Sequence, residues 1–133
     1  MGALARLVAP LVGRGVELPD GLLKRHPELA RMRVRRGGLP VRVGGWALGR
    51  STVAAITLWR TVFVAPGVAL DAELLLHELR HVHQFEASAT FPLHYLWESV
   101  RRGYHANRYE ADARTYAAAQ LRASVKESPR GDV

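Results

Sequence analysis

Residues 74–84 read Leu74-Leu75-Leu76-His77-Glu78-Leu79-Arg80-His81-Val82-His83-Gln84, and the pair His77/His81 constrains this chain more than any other feature. Four residues turn an α-helix by about 400°, so two histidines at that spacing lie one turn apart on one face. Both imidazoles then reach a single tetrahedral zinc ion at about 2.0–2.1 Å. Glu78 follows His77 by about 100° around the helix and sits at the edge of that face. There it can touch a water activated by the metal without ligating the metal, which is the position of a general base. With 6 His in 133 residues, chance produces His-Glu-x-x-His roughly 0.016 times in a chain of this composition, so the grouping carries information. Leu75, Leu79 and Val82 form an apolar stripe away from the histidines, which fits a buried helix. Asp71 is placed to be its N-cap. The competing reading is a surface helix whose histidines are merely polar.

A chain of 133 residues reads as one domain with enough length for a core. Its 48% hydrophobic content argues against disorder. The absence of cysteine excludes disulfides and thiolate zinc sites, so a metal here must use histidine and carboxylate. The net charge of +7 suits anionic partners such as nucleic acid or a membrane surface, or else a solvated basic face. The arginines are dispersed and no stacking-aromatic motif accompanies them, so no specific nucleic-acid partner is expected.

Taken in order, residues 1–30 read as an N-terminal helical segment. The apolar run Met1–Val16 is broken by Arg6, Pro10 and Arg14, too short and interrupted for a membrane span or a signal peptide. A cytoplasmic location is expected, with peripheral membrane contact through this segment as the sharper reading. Residues 31–66 read as a sheet: Arg31–Arg35 and Ser51–Leu58 as strands, Val41–Val43 as a short strand broken by Gly44-Gly45, Trp59-Arg60 as a tight connection, and Thr61–Val64 as a strand ended by Pro66-Gly67. Residues 70–123 read as helices. After the motif helix comes Phe91–Arg102, with Leu93, Leu96, Trp97 and Val100 on one face and Gly103 at its end. A last helix runs from Asn107 to about Leu121, and residues 124–133 read as a frayed tail. The fold class is therefore α+β: a small antiparallel sheet followed by the motif helix and two C-terminal helices.

Two histidines do not complete a catalytic zinc site. The downstream candidates are Glu86, Glu98, His105, Glu110 and Asp112. Relative to Glu110, Ala113, Ala117 and Leu121 lie within about 60° on the helix, so Glu110 heads a small-residue stripe suited to close helix approach. Asp112 lies about 200° away, on the polar side with Arg108 and Thr115. A capping box is the other reading of Glu110, with Asn107 as N-cap and Glu110 at the third position. The histidine pair in the same chain favours the ligand.

Leu75-Leu76-His77-Glu78-x-x-His81-Val82-x-Gln84, followed by Gly103-Tyr104-x-x-Asn107-x-Tyr109-Glu110-x-Asp112-Ala113, resembles the gluzincin metallopeptidases, and more narrowly the small bacterial minigluzincin-like proteins. Ile56–Val64 is similar to the hairpin that precedes the active-site helix in that group. The resemblance spans roughly residues 54–116. It implies a zincin-like domain with His77, His81 and Glu110 as zinc ligands and Glu78 as base. Arg108 departs from the proline often found at that place, and the chain is too short for the second subdomain of thermolysin-like enzymes.

The expected function is hydrolysis of peptide bonds in a peptide or protein substrate by a zinc-activated water, with Glu78 as general base. The strand near Thr61–Val64 can offer an edge to an extended peptide. Tyr104 and His105, just before the ligand helix, are the candidates for transition-state stabilisation. His83, about 200° from His81, faces away from the zinc. The alternative function is a catalytically silent zinc-binding interaction module, such as a toxin- or secretion-associated accessory domain.

Overall fold

The computed structural model describes residues 2–47 and 54–127. In chain order it contains α1 (Ala3–Val12), β1 (Arg14–Val16), α2 (Asp20–Arg25), a 3₁₀ turn (Pro27–Arg31), β2 (Arg33–Arg36), α3 (Leu39–Ala47), β3 (Ala55–Leu58), β4 (Thr61–Val64), α4 (Ala72–Ala87), α5 (Phe91–Arg102) and α6 (Arg108–Glu127). The architecture is α+β. The four strands are ordered β1-β2-β4-β3.

The sheet is mixed rather than purely antiparallel. β1 and β3 run antiparallel to their neighbours, but β2 and β4 are parallel, with Val34 opposite Val62. A parallel pair needs a crossover, and α3 lies within it. That explains why Val41–Val43, expected as a strand, is helical. Pro40 falls in the first turn of α3, where its missing N–H costs nothing. Val41 then packs on Phe63 and Ala65. The sheet also starts earlier than residue 31: the three-residue β1 pairs with β2 through its main chain, and its Val16 packs against the core. The order makes β4 an inner strand, so the edge beside the helices is β3 and not Thr61–Val64. Of the expected strand at 51–58, residues 55–58 are strand, and 51–53 lie outside the described residues, as do 128–133 of the expected tail; residues 124–127 are the end of α6.

Strand alternation divides the interior. Val62 and Val64 face the main core with Leu29, Met32, Val34, Leu75, Leu76, Leu79, Val82 and Ala117, while Phe63 faces α3. Burying each leucine of α4 stabilises the fold by roughly 1.5–3 kcal/mol. The apolar stripe of Leu75, Leu79 and Val82 therefore anchors α4 to the sheet as expected. Asp71 caps it, its carboxylate accepting the Leu74 N–H at 2.8 Å.

α5 has the expected limits and the expected Gly103 terminus, with φ 78°, and the apolar face turns outward. Leu93, Leu96, Trp97 and Val100 are 68%, 61%, 63% and 75% exposed. Phe91, Tyr95 and Glu98 turn inward instead. The reason is what α5 meets there: Tyr95 donates to Glu110, and Asn107 donates to the Tyr95 carbonyl and Ser99 hydroxyl. Those polar groups need hydrogen-bond partners that leucines cannot supply. No described helix is long and apolar enough to cross a membrane.

Candidate metal centre

α4 and α6 pack side by side and bring three ligand-type side chains together. His77 and His81 occupy one face of α4, with ring centroids 5.0 Å apart. Glu110, in the first turn of α6, lies against both: Oε2 is 2.9 Å from His77 Nε2 and Oε1 is 3.1 Å from His81 Nε2. All three ligand atoms fall within 4.8 Å of one another. Ala113 and Ala117 continue the same stripe of α6, buried against the core. His77, His81 and Glu110 form a group that can hold a metal ion.

The capping-box reading of Glu110 is resolved by its contacts. Asn107 caps α6 through its own side chain, Oδ1 accepting the Tyr109 N–H at 2.9 Å. The Asn107 N–H goes to the Tyr104 carbonyl at 3.3 Å. Glu110 turns instead to the histidines and accepts the Tyr95 hydroxyl at 2.7 Å.

Hydrogen bonding around His81 tests whether the site suits a cation. Gln84 Nε2 donates to Asp112 Oδ2 at 3.0 Å and to the Tyr109 carbonyl at 3.1 Å. These partners fix the amide orientation, so Gln84 Oε1 must accept from His81 Nδ1, 2.8 Å away. Nε2 of His81 then faces a carboxylate oxygen at 3.1 Å. Two lone pairs cannot face each other at that distance without a positive centre between them, either a proton or a metal ion. The donor set of two imidazoles and one carboxylate suits a divalent transition-metal ion.

The electrostatics agree. Burial acts to lower the pKa of His81, but its hydrogen bond to Glu110 and the charges of Glu78 and Glu110 outweigh this and raise it to about 9. Burial acts to raise that of Glu110, but hydrogen bonds from His77 and His81 and the His81 charge hold it well below the usual carboxylate range. The Tyr95 phenol is pushed far up by burial and by Glu110.

Glu78 is buried beside the triad and is not part of it. Its Oε2 accepts the Thr57 hydroxyl of β3 at 2.7 Å. Tyr104 is half-buried, its phenol pushed up to about 12 by burial and then by the charges of Glu110 and Glu78. His105 is exposed, with its ring edge-on to Tyr104 at 5.6 Å and its carbonyl accepting from Arg114. His83 lies against Tyr116, on the side expected. Asp112, assigned to the polar side, is half-buried and bonds Arg80 and Gln84 of α4.

Thr57, Tyr95 and the Gln84–Asp112 pair are the parts of the site that sequence reasoning missed. Gln84 had a readable signal, three residues after His81 on the same helical face. Phe91, Tyr95, Glu98 and Arg102 also fall at helical spacing and mark a second face of α5. Nothing local marks Thr57.

No protein-family model, curated protein or solved structure matches this chain.

The Gln84 contact leads to a measurable expectation. Removing the acceptor in Gln84→Ala frees the His81 ring to rotate and change tautomer. Metal affinity should fall about 10–100-fold, as with other losses of a ligand's hydrogen-bond partner. Saturating stoichiometry should remain one ion per chain. Titration against a competing chelator measures both, and an unchanged affinity would remove Gln84 from the site.

Proposed function

We propose that this chain is a zinc-dependent metallopeptidase of the gluzincin type, with His77, His81 and Glu110 as ligands and Glu78 as general base. The observation that carries the reading is the convergence of these three side chains, with a fourth, non-ligating carboxylate buried beside them. Zinc held there would supply Lewis acidity, polarising a peptide carbonyl and lowering the pKa of water to about 7.

The chain's own residues carry the remaining roles. Glu78 takes a proton from the attacking water and returns it to the leaving amine. Thr57 holds one oxygen of Glu78 through its hydroxyl, which leaves Oε1 for the proton. Tyr104 keeps its proton through the neutral range, as a phenol of ordinary pKa about 10 already does, and burial with the nearby charges of Glu110 and Glu78 only strengthens this. It is thus able to donate a hydrogen bond to the developing oxyanion. β3 is an edge strand of the sheet among the described residues. An extended peptide can add there by main-chain hydrogen bonds, alongside the helix that carries Glu78.

The direct test has two parts. Metal analysis of protein purified without added metal or chelator should find zinc at one ion per chain. A peptide-library cleavage assay on that protein should then detect endopeptidase products that disappear on chelation and return with zinc. Absence of bound zinc, or cleavage unaffected by chelator, would sink the proposal.

A further inference from the structure

We infer that the outward face of α5 docks on an anionic membrane surface. Leu93, Leu96, Trp97 and Val100 recur at i, i+3, i+4 and i+7 and make one continuous apolar stripe. All four are more than half exposed. They lie on the side of α5 away from Tyr95, which points to Glu110. A helix that gives its polar face to the protein and its leucines and tryptophan to the outside inverts the usual arrangement.

Charge identifies the occupant. Glu98 is the one acidic residue between residues 87 and 109. It is buried, and Arg102 and Arg108 flank it at 3.6 and 3.5 Å. Arg102, on the inward side of α5, and Arg108 thus answer the charge of Glu98, the segment keeps a net positive charge, and exposed Arg101 borders the stripe. An apolar stripe with leucine and tryptophan, bordered by arginine and clear of exposed acid, complements a surface that is apolar within and anionic at its headgroups. The same pattern recurs independently in α1. Leu4, Leu7, Val8 and Leu11 are exposed, and no acidic residue occurs before Glu17. The net charge of +7 adds long-range attraction to such a surface.

The test is co-sedimentation of the full chain with phosphatidylcholine vesicles, with and without phosphatidylserine. The chain should sediment with the mixed vesicles and not with phosphatidylcholine alone, and added salt should release it. Leu96→Ser/Trp97→Ser should lower the partition coefficient at least about tenfold, and Arg101→Gln about fivefold. All three positions are exposed, so far-UV circular dichroism and metal stoichiometry should stay at wild-type values. Failure to sediment with the mixed vesicles would overturn the inference. So would wild-type binding by the Leu96/Trp97 variant, or loss of binding only in Leu4→Ser/Leu7→Ser, which would move the face to α1. Sedimentation equilibrium supplies one more check: a dimer that the Leu96/Trp97 variant dissolves would assign the stripe to a second copy of the chain. Binding to vesicles and zinc-dependent cleavage are separate readouts, so either can fail alone.

Discussion

Glu78→Gln should abolish peptide hydrolysis, lowering it by at least about 10²–10⁴-fold, the usual contribution of a positioned general base. The substitution keeps the size of the side chain. Its amide oxygen can still accept the Thr57 hydroxyl that now reaches Glu78 Oε2 at 2.7 Å. Because Glu78 stands outside the group of His77, His81 and Glu110, zinc content should not change. Thermal stability should also stay near wild type, since no buried donor loses its acceptor. The rates must be compared at equal metal loading, because lost zinc would imitate lost catalysis. Hydrolysis lost with zinc retained supports the peptidase. No hydrolysis by either protein over diverse peptides, with zinc in both, favours the silent zinc-binding module. Full activity in Glu78→Gln would remove Glu78 as the base, and the mechanism with it.

Glu110→Ala should be the most damaging change to metal binding. It removes the only carboxylate of the triad and leaves two imidazoles from a single helix. The loss of affinity should exceed about 100-fold, the upper end of what the loss of a supporting contact costs. Asp112→Ala is the matched comparison. Asp112 touches Arg80 and Gln84, so its loss should cost about 10–100-fold at most. Competition with a chromogenic chelator ranks the two variants directly. Full affinity in Glu110→Ala together with loss in Asp112→Ala would reverse the assignment of the two helical faces. Glu110 also accepts the Tyr95 hydroxyl, so circular dichroism should accompany the titration to separate lost zinc from lost fold.

What was readable in the chain followed from helical period. His77, His81 and the leucine stripe of α4 share one element, and 3.6 residues per turn assigns their faces without reference to anything else. Glu110 was readable because alanines at helical spacing mark the side of α6 that approaches a neighbour closely. The sheet was harder. The parallel pairing of β2 with β4 is decided by the crossover through α3, which two glycines and a valine pair disguised as a broken strand. The orientation of α5 was not legible, for a different reason. Its largest apolar stripe is the natural candidate for burial, yet the space it adjoins is occupied by Glu110 and Asn107, which bind Tyr95 and Ser99. Hydrogen-bond demand inside the protein overrode the hydrophobic pattern. Thr57 is 21 residues from Glu78 in sequence and reaches it only because β3 forms the edge beside α4.

The two-sided use of α5 also sets a length. One face of this helix carries the tyrosine that touches Glu110, and the other lies open to the outside. A helix with its side chains is about 10–12 Å across, so any surface covering the outer face stands about that far from Glu110. An extended chain advances about 3.3–3.6 Å per residue. A polypeptide emerging from that surface therefore needs about three residues to reach His77, His81 and Glu110. α5 would act as a spacer, and bonds nearer the surface than those residues would lie out of reach.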